Sequence, residues 1–312
     1  MISPQPLAMG LLALIASLGS VPLAAGSEPL PVDEIAPGVF VFEAPVALAS
    51  PENEGAIANV GFVIGQEAVA VIDTGGSLAA GRRLLAAIRA RTDLPIRYVI
   101  NTHVHPDHVL GNGAFQDLGA TIVGHVNLPA ALAARAASYL SINKTLIGDA
   151  FEGTSPIPPA LLVDGRRDLD LGRRILRIET WPTAHTNSDL TVRDTLTDTW
   201  FLGDLVFVNH VPALDGRLVG WREMLRRMRA QSAARIVPGH GPTSLPWPAA
   251  AEAIERYLAS LESDLRRMID RGATLPEAIR ASAQGERSRW KLFDAFNARN
   301  ATAAYQELEW RQ

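Results

Sequence analysis

The sequence contains no cysteine, which excludes disulfide bonds, thiolate nucleophiles, iron–sulfur clusters and zinc sites with cysteine ligands. It has no excess of basic residues, since 29 lysines and arginines stand against 33 aspartates and glutamates for a net charge of -4. Its charge therefore gives no indication of nucleic-acid binding. It also lacks the Gly-x-Ser-x-Gly motif of serine hydrolases and the Walker-type phosphate-binding loop. Any metal that the chain binds must be held by histidine, aspartate or glutamate.

The N-terminal segment, residues 1–26, has the composition of a signal peptide. The stretch from Leu7 to Ala25 is apolar and uncharged, and the small residues from Ala24 to Ser27 offer a cleavage site, although no lysine or arginine precedes the stretch. Its length of about 19 residues also approaches a membrane span, so an uncleaved anchor is the alternative. Pro22 disfavours the anchor because proline disturbs a continuous helix. We expect an exported, periplasmic protein, attached to the membrane only if this segment is not cleaved.

The remaining chain has the composition of a globular protein, with 47% hydrophobic and 20% charged residues overall. Strand-like runs such as Ile96 to Ile100 alternate with helical segments, and Ser77 is placed to cap a helix that runs to about Arg91. Two halves of strands with flanking helices predict an α/β fold, a four-layer αβ/βα sandwich with helices outside two facing mixed sheets. We expect this domain over residues 35–245 and a helical C-terminal extension over residues 246–312.

A cluster of histidines follows the predicted strand that ends at Ile100. Three of the seven histidines lie within six residues, from His103 to His108. Residues i and i+2 at an extended strand end point to the same side, so His103 and His105 can bind one ion together. The chain turns at Pro106, and Asp107 and His108 then face a second position. The cluster predicts a metal site with two positions.

One hexapeptide cannot surround two metal ions, so the remaining ligands must come from later loops. Three residues stand at or after the ends of strand-like runs. His185 follows the run that ends at Trp181, and Asp204 comes shortly after the run from Trp200 to Leu202. A carboxylate directly after a core strand needs a partner. We expect the third residue, His240 in a Pro-Gly-His-Gly-Pro turn, to join the other two at the metal site.

The ordered set of these motifs resembles the metallo-β-lactamase fold superfamily, from about Pro37 to Pro242. The resemblance implies two zinc ions per chain with the following ligands: His103, His105 and His185 for one, Asp107, His108 and His240 for the other, and Asp204 as the bridge. It also implies that Asp73, in Asp73-Thr74-Gly75, braces the ligand loop without binding metal. Histidine and aspartate ligands suit zinc, and they accommodate iron or manganese in the same geometry.

Two divalent ions about 3.5–4 Å apart can share a hydroxide and lower the pKa of its parent water to about 7. Such a hydroxide attacks a carbonyl or phosphoryl centre while the metals stabilise the developing oxyanion. We expect Asp107 to act as the catalytic residue that orients this nucleophile. Asn209 and His210 follow Asp204 closely, and we expect them to line the substrate cleft. The Arg173-Arg174 pair is interpreted as solvated surface charge.

An aspartate at position 204 resembles the glyoxalase II-like branch of the superfamily, although residues 182–189 lack the second histidine common there. The segments 61–65, 70–77 and 207–216 resemble the quinoprotein relay system zinc metallohydrolases. This resemblance implies a functional link to a pyrroloquinoline quinone-dependent dehydrogenase. The leading hypothesis is a dinuclear zinc hydrolase that acts on a small ester, thioester or lactone-type substrate. The alternatives are a β-lactam hydrolase and a non-catalytic, metal-stabilised accessory protein.

Overall fold

The computed structural model describes residues 28–309, and the predicted signal peptide lies outside these residues. Within them the chain forms two sheets and seven α-helices. The first sheet has seven strands in the order β1-β2-β3-β4-β5-β6-β7. Its strands are β1 (Val32–Ala36), β2 (Val39–Phe42), β3 (Val60–Ile64), β4 (Val69–Ile72), β5 (Ile96–Ile100), β6 (Thr121–His125) and β7 (Leu161–Val163). Strands β1 to β4 are antiparallel, whereas β4 to β7 are parallel.

The second sheet has five strands in the order β12-β11-β10-β9-β8. Its strands are β8 (Arg166–Asp170), β9 (Ile175–Thr180), β10 (Leu190–Asp194), β11 (Thr199–Phe207) and β12 (Arg235–His240). Strands β8 to β11 are antiparallel and β12 is parallel to β11. Both sheets are therefore mixed, as the sequence predicts.

The helices cover the outer faces of the sheets and the edge where parallel strands end. They are α1 (Leu78–Arg89), α2 (Pro106–Val109), α3 (Leu128–Ile147), α4 (Leu218–Met228), α5 (Glu252–Asp270), α6 (Leu275–Ala281) and α7 (Phe293–Glu309), with shorter 3-10 helices at Leu110–Leu118, Gly148–Phe151, Ala249–Ala251 and Gln284–Arg289. The Ser77 side chain caps α1 by accepting a hydrogen bond from the Ala80 N–H. Among residues 28–309, no helix combines the length and the apolar composition that a bilayer span requires.

Period-two alternation along the buried strands explains why four layers form. In β4, Val69 and Val71 pack against the cluster beneath α1, whereas Ala70 and Ile72 face the second sheet. In β11, Phe201 faces the first sheet, and the residues on its other side pack against α4, α5 and α7. Each sheet thus buries both faces, one against the other sheet and one against helices. The predicted α/β four-layer sandwich with a helical C-terminal region is confirmed.

Two local predictions need correction. Asp204 does not follow a strand; it lies inside β11, which continues through an irregularity in its pairing with β12 around Gly203. Gly203 has a φ of +51° there, a conformation that favours glycine. His240 is the last residue of β12 and does not lie in a separate turn. The irregular pairing depends on contacts between the two strands, which no local sequence pattern reveals.

Candidate metal centre

Four strands and the segments that follow them bring the predicted ligands together on one side of the sandwich. Strand β5 ends at Ile100, and His103 follows it with 1% of its surface exposed. Pro106 occupies the first turn of α2, where the missing N–H of proline costs nothing. The short helix then carries Asp107 and His108. His185 comes from the loop after β9, Asp204 from β11 and His240 from β12.

These side chains form two adjacent groups. The ligand atoms of the first group all lie within 4.8 Å of one another, and its members are His103, His105, His185 and Asp204. The second group meets the same limit with Asp107, His108 and His240. The structure therefore brings together all seven residues that the sequence predicts as metal ligands.

Asp204 lies between the two groups. Its Oδ2 is 3.3 Å from His185 Nε2 and 3.6 Å from His103 Nε2. Its Oδ1 is 3.2 Å from His108 Nε2 and 3.5 Å from His240 Nε2. Each carboxylate oxygen thus faces a different group, which is the arrangement a bridging ligand needs.

Each of the five clustered histidines has one ring nitrogen engaged by an acceptor outside the cluster. His108 Nδ1 donates to Asp73 Oδ2 at 2.8 Å and His103 Nδ1 contacts Thr102 Oγ1 at 3.0 Å. The other three contacts are His105 Nε2 to Asp215 Oδ2 at 3.3 Å, His185 Nδ1 to the Ala213 carbonyl at 2.7 Å and His240 Nδ1 to the Ile57 carbonyl at 2.9 Å. Carbonyl and carboxylate oxygens only accept, and the Thr102 hydroxyl accepts from His103 because its own hydrogen is donated to Asp73 Oδ2. In the neutral imidazole each contact therefore fixes the protonated nitrogen and leaves the other nitrogen as a lone-pair donor facing the cluster.

Without a bound cation, several polar atoms of the cluster are buried in unfavourable surroundings. His103 Nε2, His108 Nε2 and Asp204 Oδ1 are buried without a hydrogen-bond partner among the described residues. His185 Nε2 and His105 Nδ1 lie only 2.9 Å apart although the outer contacts leave both as lone pairs. Buried polar atoms without partners are rare because desolvation makes them costly. Divalent metal ions at the two groups would satisfy all of these atoms together.

Asp73, predicted to brace the candidate ligand loop, makes three hydrogen bonds to that loop. It follows β4, has a φ of +56° and is 1% exposed. Its carboxylate accepts from the Thr102 N–H at 2.8 Å, from the Thr102 hydroxyl at 2.7 Å and from His108. Gly239 makes room for the neighbouring ligand, because a Cβ at this position would lie 1.9 Å from Asp204 Oδ1.

Burial and neighbouring charge set different protonation states in the two groups. In the first group, burial lowers the pKa of His103 well below its ordinary value, and burial together with His105 lowers the pKa of His185 to about 3. In the second group burial acts in the same direction, but attraction to Asp204 outweighs it and raises the pKa of His240 to about 9. Burial opposes the ionisation of Asp107, yet His108 and His240 keep the pKa of its carboxyl below the usual range. Only neutral imidazoles and ionised carboxylates bind metals, so an ion bound at the second group would have to displace the proton of His240.

A cavity of about 290 Å³ opens onto the second group, lined in part by Asp107, Asp204 and His240. His210, predicted to line the cleft, does line this cavity. Asn209, also predicted there, is exposed and does not belong to the lining. It has a φ of +66°, and its carbonyl accepts a hydrogen bond from the Lys291 N–H. An asparagine is suited to this position because it tolerates a left-handed backbone conformation in a turn.

Three contributors to the site escape the sequence prediction. Asp215 orients His105 and is itself 3.1 Å from Arg135. Asn59 donates to the Pro238 and Gly241 carbonyls on either side of His240. Helix α7, within the predicted extension, supplies Phe296 and Arg299 to the cavity wall. The Asp-Gly pair at 215–216 could equally mark a turn, so its ligand-orienting role has no distinct signal in the sequence.

Comparison with known proteins identifies a family, a curated relative and solved structures of similar fold. Residues 54–240 match the metallo-beta-lactamase superfamily. The linear primary-alkylsulfatase of Pseudomonas sp. is 30% identical over 159 residues, which cover 47% of this chain and 28% of the sulfatase. The chain therefore spans less than a third of the length of this curated relative.

Two solved structures illustrate the likeness of the fold. The stereoselective inverting sec-alkylsulfatase from Pseudomonas sp. has a TM-score of 0.69 at 14% identity, over 88% of this chain and 49% of that one. A metallo-beta-lactamase from Pontibacter korlensis has a TM-score of 0.59 at 21% identity, over 74% of this chain and 99% of that one. At these identities the similarity shows the fold alone.

Proposed function

Because the chain belongs to the metallo-β-lactamase superfamily, we propose that it is a hydrolase whose histidine and aspartate cluster binds two divalent metal ions. Zinc is the proposed metal, with iron and manganese as alternatives for the same donor set. The proposed ligands are those that the sequence predicts: His103, His105 and His185 for one ion, Asp107, His108 and His240 for the other, and Asp204 between them. One observation carries the proposal: each imidazole has one nitrogen held from outside and the other facing the cluster.

A pair of divalent ions supplies Lewis acidity and an activated water molecule when bound. The chain's own contribution begins with Asp107, whose side chain is 16% exposed while that of His108 is fully buried. Because its pKa lies below the usual range, Asp107 stays ionised, accepts a hydrogen bond from the attacking water and holds that water toward the cavity. His210 borders the same cavity, and burial with the nearby His240 lowers its pKa to about 4, so it meets a substrate as a neutral imidazole.

The proposed substrate is an ester, thioester or lactone of modest size. The cavity that opens onto the cluster is lined largely by apolar side chains, including Leu48, Ile142 and Phe296. Apolar walls with a few convergent polar groups are typical of sites for small organic substrates. An ester linkage places its reacting carbonyl at the cluster and its hydrocarbon part against these walls.

Sulfate-ester hydrolysis is a second candidate. It is favoured by the 30% identity to a protein named linear primary-alkylsulfatase and by the apolar cavity next to the cluster. The β-lactam hydrolase and the metal-stabilised accessory protein stay predictions. Periplasmic export, the glyoxalase II-like branch and the link to a quinoprotein dehydrogenase also belong to the proposal, and only the sequence resemblance and the N-terminal composition support them.

The test measures metal content and turnover on the same preparation. We expect the full chain, purified and supplied with zinc, to hold about two ions and to hydrolyse at least one member of a panel of esters, thioesters, lactones, sulfate esters and β-lactams. Asp107→Ala should reduce turnover, whereas Asp117→Ala, at an exposed position outside the cavity, should not. A zinc content below about one ion per chain under saturating metal would overturn the proposal.

A further inference from the structure

The apolar residues of helix α3 lie along one side of the helix, and only some of them pack into the core. Leu128, Leu132 and Ile147 are buried in a cluster with residues of the 103–118 segment. Leu146 lies five full turns beyond Leu128 on the same side, yet it and Ile142 are 44% and 53% exposed. A helix normally turns charged or polar residues toward solvent. The exposed apolar residues on α3 therefore call for a functional explanation.

These residues line the cavity that opens onto the metal-binding cluster. Ile142 and Leu146 lie in its wall together with Leu48 of the loop between β2 and β3, which is 49% exposed. The same cavity reaches Asp107 and His240. The apolar surface is thus continuous with the cluster, and one molecule can contact both.

The polar groups on this face of α3 leave the surface apolar. The Asn143 side chain donates to the Tyr139 carbonyl within the helix at 2.8 Å. Arg299, across the cavity, is 3.4 Å from Asp215 Oδ1 and so already has a carboxylate partner. Leu48, Ile142 and Leu146 therefore form an apolar wall of the cavity. An apolar wall favours contact with a hydrocarbon chain.

We propose that this apolar wall, formed by Leu48, Ile142 and Leu146, binds an unbranched aliphatic chain of the substrate while its ester group lies at the metal centre. The inference rests on the proposed function and narrows its substrate to medium-chain aliphatic esters, whether carboxylic, thio- or sulfate. From Tyr139 to Leu146 the helix advances by about 10 Å, which is close to the length of an extended octyl chain. The wall should therefore select for chain length up to about that of octanoate.

The test measures binding, so that it does not depend on turnover. Acetate, butyrate, hexanoate, octanoate and decanoate are titrated into the zinc-loaded full chain by calorimetry. Burial of each added methylene should tighten the dissociation constant by about threefold to fourfold, and the gain should level off beyond octanoate. Ile142→Ser and Leu146→Ser should flatten this dependence, and because both side chains are largely exposed, neither variant should affect folding.

Leu118→Ser is the matched control. Leu118 is 41% exposed, close to the 44% of Leu146, and lies outside the cavity lining. It should keep the wild-type dependence on chain length. Either of two results overturns the proposal: affinities independent of chain length in the wild type, or an undiminished dependence in both serine variants. Self-association that Ile142→Ser abolishes, without any dependence on chain length, would assign the wall to contact between copies and equally overturn it.

The two proposals fail separately. A chain that binds octanoate more tightly than butyrate but hydrolyses no ester retains the aliphatic site and loses the proposed hydrolase function. A chain that hydrolyses acetyl and octanoyl esters equally well, with flat binding, retains the hydrolase function and loses the aliphatic site.

Discussion

Two groups of buried charged and polar side chains in this molecule differ in whether the chain itself supplies their partners. Arg174 and Asp194 form a bidentate ion pair, with distances of 3.0 and 2.8 Å, and they are 6% and 0% exposed. The same guanidinium donates to the Ile64 and Pro37 carbonyls at 2.9 Å, so it connects the second sheet to the first. The candidate metal cluster is also largely buried, yet three of its atoms lack a hydrogen-bond partner in the described part of the chain.

The two groups lie near opposite ends of β4, the central strand of the first sheet. Ile64 pairs with Val69 at the start of β4, whereas Asp73 follows the end of the same strand. At the start of β4 the chain supplies the partners of Arg174 and Asp194, and the pair connects the two sheets. At the end of β4 the chain orients the side chains of the cluster but leaves three atoms that face its centre without hydrogen-bond partners among the described residues. A buried group that is held in place and yet incomplete points to a ligand.

The largest expected effect comes from breaking the satisfied pair. Arg174→Met keeps much of the side-chain volume but leaves Asp194 buried without its cation, and loss of one partner from a buried pair costs about 3–5 kcal/mol. We expect the lower end of that range because Thr197 still donates to Asp194. Urea unfolding of the metal-free protein gives the free energy, and metal content after zinc loading should equal that of the wild type.

Arg177→Met is the control for the pair. Arg177 also makes a bidentate contact with a carboxylate, that of Asp168, but its side chain is 41% exposed. Exposed ion pairs contribute about 0.2–1 kcal/mol. If the two variants lose equal stability, the buried pair is not the structural connection described above.

The next effect concerns the unsatisfied cluster. Asp204→Ala removes the carboxylate that faces both groups, and we expect metal affinity to fall by more than about a hundredfold, the upper end for residues that only orient ligands. Turnover should fall with it. We expect this variant to destabilise the metal-free protein less than Arg174→Met does, because Asp204 Oδ1 is buried without a hydrogen-bond partner and the carboxylate contacts only histidines of the cluster. Competition with a chromophoric chelator measures the affinity, and full zinc binding by the variant would refute the central position of Asp204.

The sequence predicts the parts of both regions that depend on local geometry. Spacing of i and i+2 at a strand end places His103 and His105 together, and the Ser77 cap marks the start of α1. The sequence wrongly predicts that Arg174 is a solvated surface charge. The side chain is buried because it pairs with Asp194, twenty residues away on β10. Local patterns contain no information about such distant partners.

Similar reasoning explains the partial success at the site. The seven candidate ligands are identifiable because three histidines and an aspartate lie within residues 103–108, and the family resemblance indicates which later residues complete the set. The position of Asp204 inside β11 and the cavity wall from α7 depend on how the second sheet packs against its helices. The exposure of Ile142 and Leu146 on α3 depends on the same packing, because the Ala-rich sequence of this helix does not show which of its residues are buried.

A smaller effect is expected from a residue that only orients a ligand. Asp215 accepts from His105 Nε2 and is 21% exposed, and Arg135 and Arg299 also contact it. Asp215→Asn should weaken zinc binding by about tenfold, the lower end for such partners. The exposed Asp168→Asn serves as control and should leave affinity unchanged. An unchanged affinity in Asp215→Asn would mean that the His105 ring is oriented by packing alone.

The smallest effect uses pH to distinguish the two regions. Burial opposes ionisation of Asp194, but Arg174 and Thr197 outweigh it and lower its pKa. Its contribution to stability is therefore present above the unfolded pKa of about 3.9 and is lost as pH falls, because the unfolded chain binds the proton first. In Arg174→Met the unpaired Asp194 favours the protonated form, so the stability gap to the wild type should narrow between pH 4 and pH 3 by at most about 1.4 kcal/mol. Urea unfolding of both metal-free proteins at the two pH values measures the gap. Asp204→Ala keeps the Arg174–Asp194 pair, so its stability relative to the wild type should not show this pH dependence. A difference between Arg174→Met and the wild type that widens toward low pH would contradict the ionised state of the buried pair.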